Sequence, residues 1–350
     1  MDPDLLVALD EDGDLDDFLV FNLLDHAEKR QLPRLNFAAI GEDECWEKFR
    51  FRKEDIPRLQ QCLHIPDNIT CSTGVKENGT NALLLLLRRL AYPNRYCDLL
   101  EVFGRSPSEL SLIFNTTLDH VYDNFSYLLS DINELFWLSE DNLHLFADSI
   151  TDKGAPLQNC WGFVDGTVRP IARPSLHQEV AFNGHHRIHG LKFQSLMTPI
   201  GLHAHMWGPL EGRRHDVIML RESGLLNQLE NLPLAENGQP FVIYGDPAYP
   251  VRQHIISPFK GANRTPLQAD FNAAMSRVRQ CVEWGFRDVV ANFAFCDFRK
   301  NQKVLLQPVA KYFIVATILS NCKTCLYSNI TSDFFALQPP TLEQYTSNTR

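Results

Sequence analysis

Two apolar runs in this chain each end beside a glycine and an aspartate: Trp161-Gly-Phe-Val-Asp165-Gly-Thr167 and Phe241-Val-Ile-Tyr-Gly245-Asp246-Pro247. Both read as buried strands, because Phe163, Val164, Val242 and Ile243 favour a pleated surface. In the first, Gly166 is expected to stop the pleat straight after Asp165, leaving the carboxylate at a strand end and a pocket mouth. A third acid, Glu283, lies in a helical pattern. Ala274, Val278, Cys281, Val282, Phe286 and Val289 form its apolar face, and Ser276, Arg279, Glu283 and Arg287 form a stripe beside it. A fold that serves these runs must carry two strands and a long helix around one core.

A chain of 350 residues is long enough for two domains, or one large one. The net charge of -10 is unevenly spread. Residues 1–60 carry 16 acids against 8 Lys and Arg, whereas residues 151–300 carry 13 acids against 16. The acidic total therefore does not exclude a polyanionic partner for the second half. Nine scattered cysteines, an odd number, point to reduced thiols rather than a disulfide framework. Cys322 and Cys325 form a lone CxxC with no second pair, and read as core residues. The acidic start has no signal-peptide pattern, and the apolar runs Leu83–Leu87 and Phe313–Leu319 are short of the ~18 residues a membrane span needs. No membrane partner is expected.

Taken in order, residues 1–17 read as an acidic flexible tail, and Phe18–Leu24 as a short docking helix. Asp10-Glu-Asp12-Gly-Asp14 fails as a calcium loop, because the position that requires glycine holds Leu15. Residues 18–150 read as an all-helical N-terminal domain. Within it, Tyr96–Phe103 closes on Gly104. Ser106-Pro107-Ser108-Glu109 then supplies an N-cap, a proline at the first helical position and a capping glutamate. The following helix has an apolar face of Leu110, Ile113, Phe114, Leu118, Val121, Phe125 and Leu128. This helix-turn-helix-like hairpin, about 95–128, suits DNA docking or a plain helical scaffold. Its second helix offers Ser108, Ser111, Asn115 and Asp119 outward, and Arg95 and Arg105 flank it near enough to touch phosphates. Residues 151–330 read as an α/β domain. Strands at Gly190–Met197 and Leu202–Trp207 are joined by a turn, residues 208–214 form a loop, and His215–Leu229 a helix. A further strand follows at Phe241–Tyr244, then a long helix at Asp270–Asn292 and an apolar one at Pro308–Ser320. Residues 331–350 read as a C-terminal tail.

Three carboxylates brought together would repel unless a cation neutralised them, and hard Mg²⁺ or Mn²⁺ takes such oxygen ligands. Asp165, Asp246 and Glu283 are therefore candidate ligands of two ions for phosphodiester chemistry. The bland alternative is that Glu283 pairs with Arg279 and Arg287 on a solvated face. Seven of the twelve histidines fall between His177 and His215. Of these, His203 and His205 share a strand face that a zinc hydrolase could use. Arg213-Arg214-His215-Asp216 offers positive charge for phosphates and an extra acid, or simply a helix cap.

These motifs resemble the PIF/Harbinger class of DDE transposases and the nucleases derived from them. The likeness is carried by Val164-Asp165-Gly166-Thr167, Gly212-Arg213-Arg214-His215-Asp216 and Gly245-Asp246-Pro-Ala-Tyr249-Pro250. It continues through Phe271-Asn272, Arg277-Val-Arg279-Gln-Cys-Val282-Glu283-Trp-Gly-Phe286 and Leu319-Ser-Asn321, so it spans roughly 160–330. Leu87-Arg-Arg-Leu-Ala-Tyr-Pro-Asn94 and Phe103-Gly-Arg-Ser106 extend it into the first half. The resemblance implies an RNase H-like core and a DDE triad of Asp165, Asp246 and Glu283. It also implies Mg²⁺ or Mn²⁺ as cofactor and attack on DNA phosphodiesters by water or a freed 3′ hydroxyl. A nuclear location is implied, with the cytoplasm as a second compartment; Arg50-Phe-Arg52-Lys53 is too weak for an import signal. A homo-oligomer and a separate Myb-like DNA-binding partner go with the class. A domesticated, non-cutting DNA-binding or scaffold protein is the alternative. The chain departs from the family after Phe286, where Arg287-Asp288-Val-Val-Ala-Asn292 replaces a run that often holds glycine and then lysine. No DNA contact is carried over from that segment.

Overall fold

Helix formation in the first half follows its caps. In the computed structural model, which describes residues 33–235, 238–304 and 306–347, helices α1 (Glu42–Phe49) and α2 (Asp55–Cys62) precede a hairpin. Its strands are β1 (Asn68–Thr70) and β2 (Lys76–Asn78), paired antiparallel. The first half is thus not all-helical as the sequence suggested: Asn78 ends β2 and its Oδ1 accepts from Thr80 N at 2.9 Å, starting α3 (Gly79–Ala91) directly. Leu83 to Leu87 of α3 are all buried. The expected acidic tail and docking helix before residue 33 lie outside the described residues.

Helices α4 (Tyr96–Phe103) and α5 (Pro107–Phe125) lie where the sequence places two helices. Gly104 closes α4 in the left-handed region, at φ 62°. The capping box at α5 is present, with Glu109 N donating to Ser106 Oγ at 3.3 Å and Ser106 N donating to Glu109 Oε2 at 3.1 Å. The apolar positions of α5 are buried, whereas Ser108, Ser111, Asn115 and Asp119 are half-buried rather than fully outward. The expectation that Arg105 touches phosphate is corrected. Its side chain is 8% exposed and bonds Glu77 Oε2 and Glu109 Oε1, each at 2.8 Å, and the Lys76 carbonyl. A guanidinium so enclosed neutralises its own fold. Arg95 is exposed, and its backbone N–H donates to Asp98 Oδ2 at 2.9 Å.

The chain divides into two units, up to Val121 and from Tyr122 onward, rather than near 150. The reason is α6 (Glu140–Asp152), which packs on β3 (Cys160–Pro170) of the second unit. That unit is built on a mixed sheet flanked by helices. After a short helix α7 (Gln178–Ala181) come β4 (Phe182–Asn183), β5 (Ile188–Met197) and β6 (His203–Glu211). Helices α8 (Asp216–Glu222) and α9 (Leu225–Glu230) are followed by β7 (Val242–Tyr244) and β8 (Ile255–Ile256). β5 pairs antiparallel with β3 on one side and with β6 and β4 on the other; β7 pairs parallel with β3, and β8 parallel with β7.

Four local expectations are revised. β3 does not stop at Gly166 but runs on to Pro170, because every residue from Phe163 to Pro170 has a partner in β5. β6 likewise extends to Glu211, through residues expected as loop, because β5 is long enough to pair them. The single helix expected at His215–Leu229 is two, broken at Gly224, whose φ is 69°. The long helix α10 (Pro266–Asn292) begins before Asp270, since Thr265 and Gln268 form a reciprocal capping box around Pro266.

The core continues into α11 (Val309–Tyr327), α12 (Ile330–Phe335) and α13 (Leu342–Thr346), so residues expected as a tail are folded in, with Leu342 and Tyr345 fully buried. α11 is long and apolar enough to cross a membrane by composition alone, yet 72% of it is buried within the protein. All nine cysteines are free thiols, and Cys322 is a core residue. One amide clamps α11 to the sheet. Asn321 Oδ1 accepts from His203 N at 3.0 Å, and Asn321 Nδ2 donates to His203 O at 2.9 Å and Tyr345 Oη at 3.0 Å. Replacing it by leucine strands the first backbone pair of β6 without water. Two orphaned buried groups cost about 2–4 kcal/mol, so Asn321→Leu is expected to lower the thermal midpoint by roughly 5–10 °C. A scanning-calorimetry midpoint within a degree of wild type would remove the clamp from this account.

Candidate active site

The site starts from the sheet's own geometry. β7 ends at Tyr244, opposite Phe163, while β3 continues past it. Asp165 therefore sits where β3 has lost its parallel neighbour, with its side chain 18% exposed, although it is not at a strand end itself. Phe163 and Val164, both fully buried, anchor the strand just before it. Asp165 Oδ1 accepts from Gly166 N at 2.9 Å.

Asp246 lies just beyond the end of β7. A turn returns the chain at once: Tyr249 N donates to Asp246 O at 3.1 Å, and Ala248 N donates to Asp246 Oδ1 at 2.9 Å. The turn lays the Tyr249 ring back over Gly245, where a Cβ would come within 2.8 Å of the ring. This is why a glycine precedes the acid.

Glu283 is one turn beyond Arg279 on α10, with a 58% exposed side chain. Arg279 joins two of the three acids: its Nη1 donates to Asp165 Oδ2 at 2.7 Å, and its Nη2 lies 3.3 Å from Glu283 Oε1. The pairing of Glu283 with Arg279 considered from the sequence is thus present, and it includes Asp165. Burial pushes the Asp165 carboxyl up to about 6; the Arg279 charge opposes this, and the Asp246 charge adds to it. The Asp246 carboxyl is also raised, by burial first and then by Asp216, against its backbone hydrogen bonds.

Asp216 is a fourth acid in the same neighbourhood. It opens α8, and a Cβ on Gly166 would lie 3.0 Å from its Oδ1, so the missing side chain admits α8 beside β3. Lys192 of β5, 8% exposed, ion-pairs with Asp216 and donates to Arg214 O at 3.0 Å. The sequence assigns Lys192 and Tyr249 no role at the site, although Tyr249 stands in one of the resembling motifs. A lysine inside the apolar run Gly190–Met197 was the available signal, because a buried ammonium needs a partner.

Arg213 and Arg214 lie on the exposed loop after β6, and Arg214 Nε is 3.4 Å from Glu211 Oε2. With His185, His186, Lys192 and His215 they line a cavity of about 540 Å³ whose wall includes Gly166 and Ala248, next to the acids. His203 and His205 lie elsewhere, in the core. Burial lowers both to about 4, so they are neutral at pH 7, and His203 Nδ1 is 2.7 Å from Ser195 Oγ.

The donor set suits a hard divalent cation. It has three carboxylates on separate elements, and a buried Tyr249 hydroxyl within electrostatic reach of Asp165, Asp246 and Asp216 has no hydrogen-bond partner among the described residues. In the described arrangement Arg279 supplies the positive charge. Among the described residues, no three His, Cys, Asp or Glu side chains are grouped closely enough to hold an ion.

Two consequences can be measured on metal-free protein. The Asp165 pKa is raised from 3.8 to about 6, so the native state binds this proton more tightly than the unfolded chain. Its stabilisation is complete below pH 3.8 and is lost as pH rises through about 6. Asp165→Asn lacks this loss. Its stability relative to wild type is expected to improve by on the order of 1–3 kcal/mol between pH 4 and 7.5, read from urea unfolding; a pH-independent difference counts against it. Arg279→Gln leaves ionised Asp165 without its cation. It should destabilise the metal-free protein by about 1–3 kcal/mol at pH 7.5, and by less at pH 4.5, where Asp165 is protonated; equal losses at both pH values would contradict the pairing.

No curated protein and no solved structure matches the chain. A family comparison does: residues 164–321 match the family of DDE superfamily endonucleases, whose members usually use divalent metals and act on DNA. The matched stretch contains all three acids as well as Lys192, Asp216, Tyr249 and Arg279, and it ends at Asn321. This segment of the chain is therefore similar to a transposase- or nuclease-type domain.

Proposed function

We propose that this protein is a divalent-metal-dependent DNA endonuclease or transposase of the DDE type, with an RNase H-like core and Asp165, Asp246 and Glu283 as its triad. The observation that carries the reading is the electrostatic linkage of three acids from β3, the turn after β7 and α10. Asp165 and Glu283 share the Arg279 guanidinium, and Asp246 lies within the field of both Asp165 and Arg279. Mg²⁺ or Mn²⁺, two per site, would activate the attacking oxygen of water or a 3′ hydroxyl and stabilise the leaving one.

Each residue then has a task. Asp165 offers a desolvated carboxylate, and desolvation strengthens its hold on a cation. Asp246 is oriented by the Ala248 amide, and Glu283 is the exposed, adjustable member of the three. Arg279 compensates the acids in the absence of metal; once released from them, its guanidinium is free to grip a phosphate. Arg213 and Arg214 supply positive charge for the DNA strand; Arg95, in the first unit, is a separate exposed phosphate contact. The PIF/Harbinger subclass, a nuclear location, a homo-oligomer and a Myb-like DNA-binding partner belong to the same reading. They rest on the motif resemblance.

A second reading is a domesticated protein that keeps the fold without cutting. It is favoured by the departure after Phe286, where Arg287-Asp288-Val-Val-Ala-Asn292 replaces a run that in the resembling family often holds glycine and then lysine. Nicking of supercoiled plasmid with Mg²⁺ or Mn²⁺ decides between them. Wild type should nick, and Asp165→Asn, Asp246→Asn and Glu283→Gln should each lose at least ~100-fold, as expected when groups at the reacting phosphate are removed. Equal rates in wild type and all three variants would eliminate the nuclease reading, and inactivity of every form would favour the second.

A further inference from the structure

The cavity beside the triad is more specific than a basic surface. Its two rims are the turn after β4 and the loop after β6, and one buried side chain ties them together. Asn183, 8% exposed, donates from Nδ2 to Gly212 O at 2.8 Å and accepts at Oδ1 from His186 N at 2.9 Å. Arg213 N donates to Val180 O at 3.3 Å, fixing the second rim from below. A cavity held open in this way does not have to be organised by its ligand.

The floor and rims differ in charge. On the floor, Lys192 is consumed by Asp216 and the Arg214 carbonyl. On the rim, Arg214 leans on Glu211, but Arg213 is exposed and has no ion-pair partner among the described residues. The exposed imidazoles of His185 and His186 line the same cavity, with ring centroids 5.0 Å apart and planes at 85°. A guanidinium and aromatic rings lining one cavity together suit a phosphate and a base. The volume of about 540 Å³ suits a single small ligand. The wall runs up to Gly166 and Ala248, the neighbours of the two aspartates.

We propose that this cavity is a nucleotide-binding site, taking one unpaired nucleotide of a DNA strand with its phosphate on Arg213 and its base against His185 and His186. The proposal rests on DNA being the substrate but not on cutting. A strand crossing the acids drops one nucleotide into the cavity, so the site favours unpaired or frayed DNA over a closed duplex.

The test uses the full chain in EDTA, where no cleavage occurs, with dAMP, inorganic phosphate and deoxyadenosine titrated separately by NMR. dAMP should bind about tenfold tighter than phosphate, the difference made by stacking one base. Arg213→Ala should bring dAMP close to deoxyadenosine, and the pair His185→Ala, His186→Ala should bring it close to phosphate; His185→Phe, His186→Phe should keep the base preference. Circular-dichroism melts establish that these exposed-loop variants are folded. A second arm compares a hairpin with a four-nucleotide overhang and the same hairpin blunt-ended. The overhang should bind several-fold tighter in wild type and equally in Arg213→Ala. Equal affinity for dAMP and phosphate, or unchanged affinity in the variants, overturns the site. dAMP binding without an overhang preference overturns the strand assignment. Failure of plasmid nicking with these binding results intact would count against the nuclease reading alone.

Discussion

The architecture around the candidate site depends on one problem: how to hold several carboxylates against a buried sheet. Asp165 is nearly enclosed, and Asp246 and Asp216 are close enough to raise its neighbours' proton affinity. Two cationic side chains answer this from opposite sides. Arg279 reaches across from α10 to Asp165, and Lys192 rises from β5 to Asp216. The desolvation of such charges is expensive unless they are paired and hydrogen-bonded. Each pair therefore fixes the position of the helix that takes part in it: α10 against β3, and α8 beside β5.

The two pairs differ in what they leave available. Lys192 has a second partner in the Arg214 carbonyl and lies within the protein, which makes it part of the floor. Arg279 shares its guanidinium with the exposed Glu283 at the longer distance of 3.3 Å. The first arrangement is a fixed support, and the second is one that a divalent ion would compete with directly. Small residues make this density possible. A side chain at Gly166 would crowd Asp216 and Met219 of α8, and one at Gly245 would run into the Tyr249 ring that closes the turn around Asp246.

Much of the scaffold was legible in the residues. The burial of Phe163 and Val164, the apolar face of α10 and the capping box of α5 follow from spacing and cap chemistry, which act over one or two turns. The errors have the same origin. Gly166 looked like a strand stop because glycine weakens an isolated strand; in the fold it has a partner in β5, and its bareness serves α8. The residues after Trp207 looked like loop because their pairing partner is decided by the length of another strand. Thr265 and Gln268 carry a capping box around Pro266, a helix start upstream of the expected Asp270 that short-range cap chemistry makes legible. Arg105 looked like a surface cation because its partner Glu77 is far away in sequence.

The sequence by itself determined which acids were candidates, which helix carries the third, and which chemistry three carboxylates suit. These are properties of residue type and short-range periodicity. Only the tertiary structure decided that Asp165 stands beyond the end of a neighbouring strand, that Arg279 bridges Asp165 and Glu283, and that Lys192 and Asp216 floor a cavity beside them. Such facts depend on which distant segments share a low-dielectric interior. Charges there must find partners across the fold, and no local pattern encodes that choice.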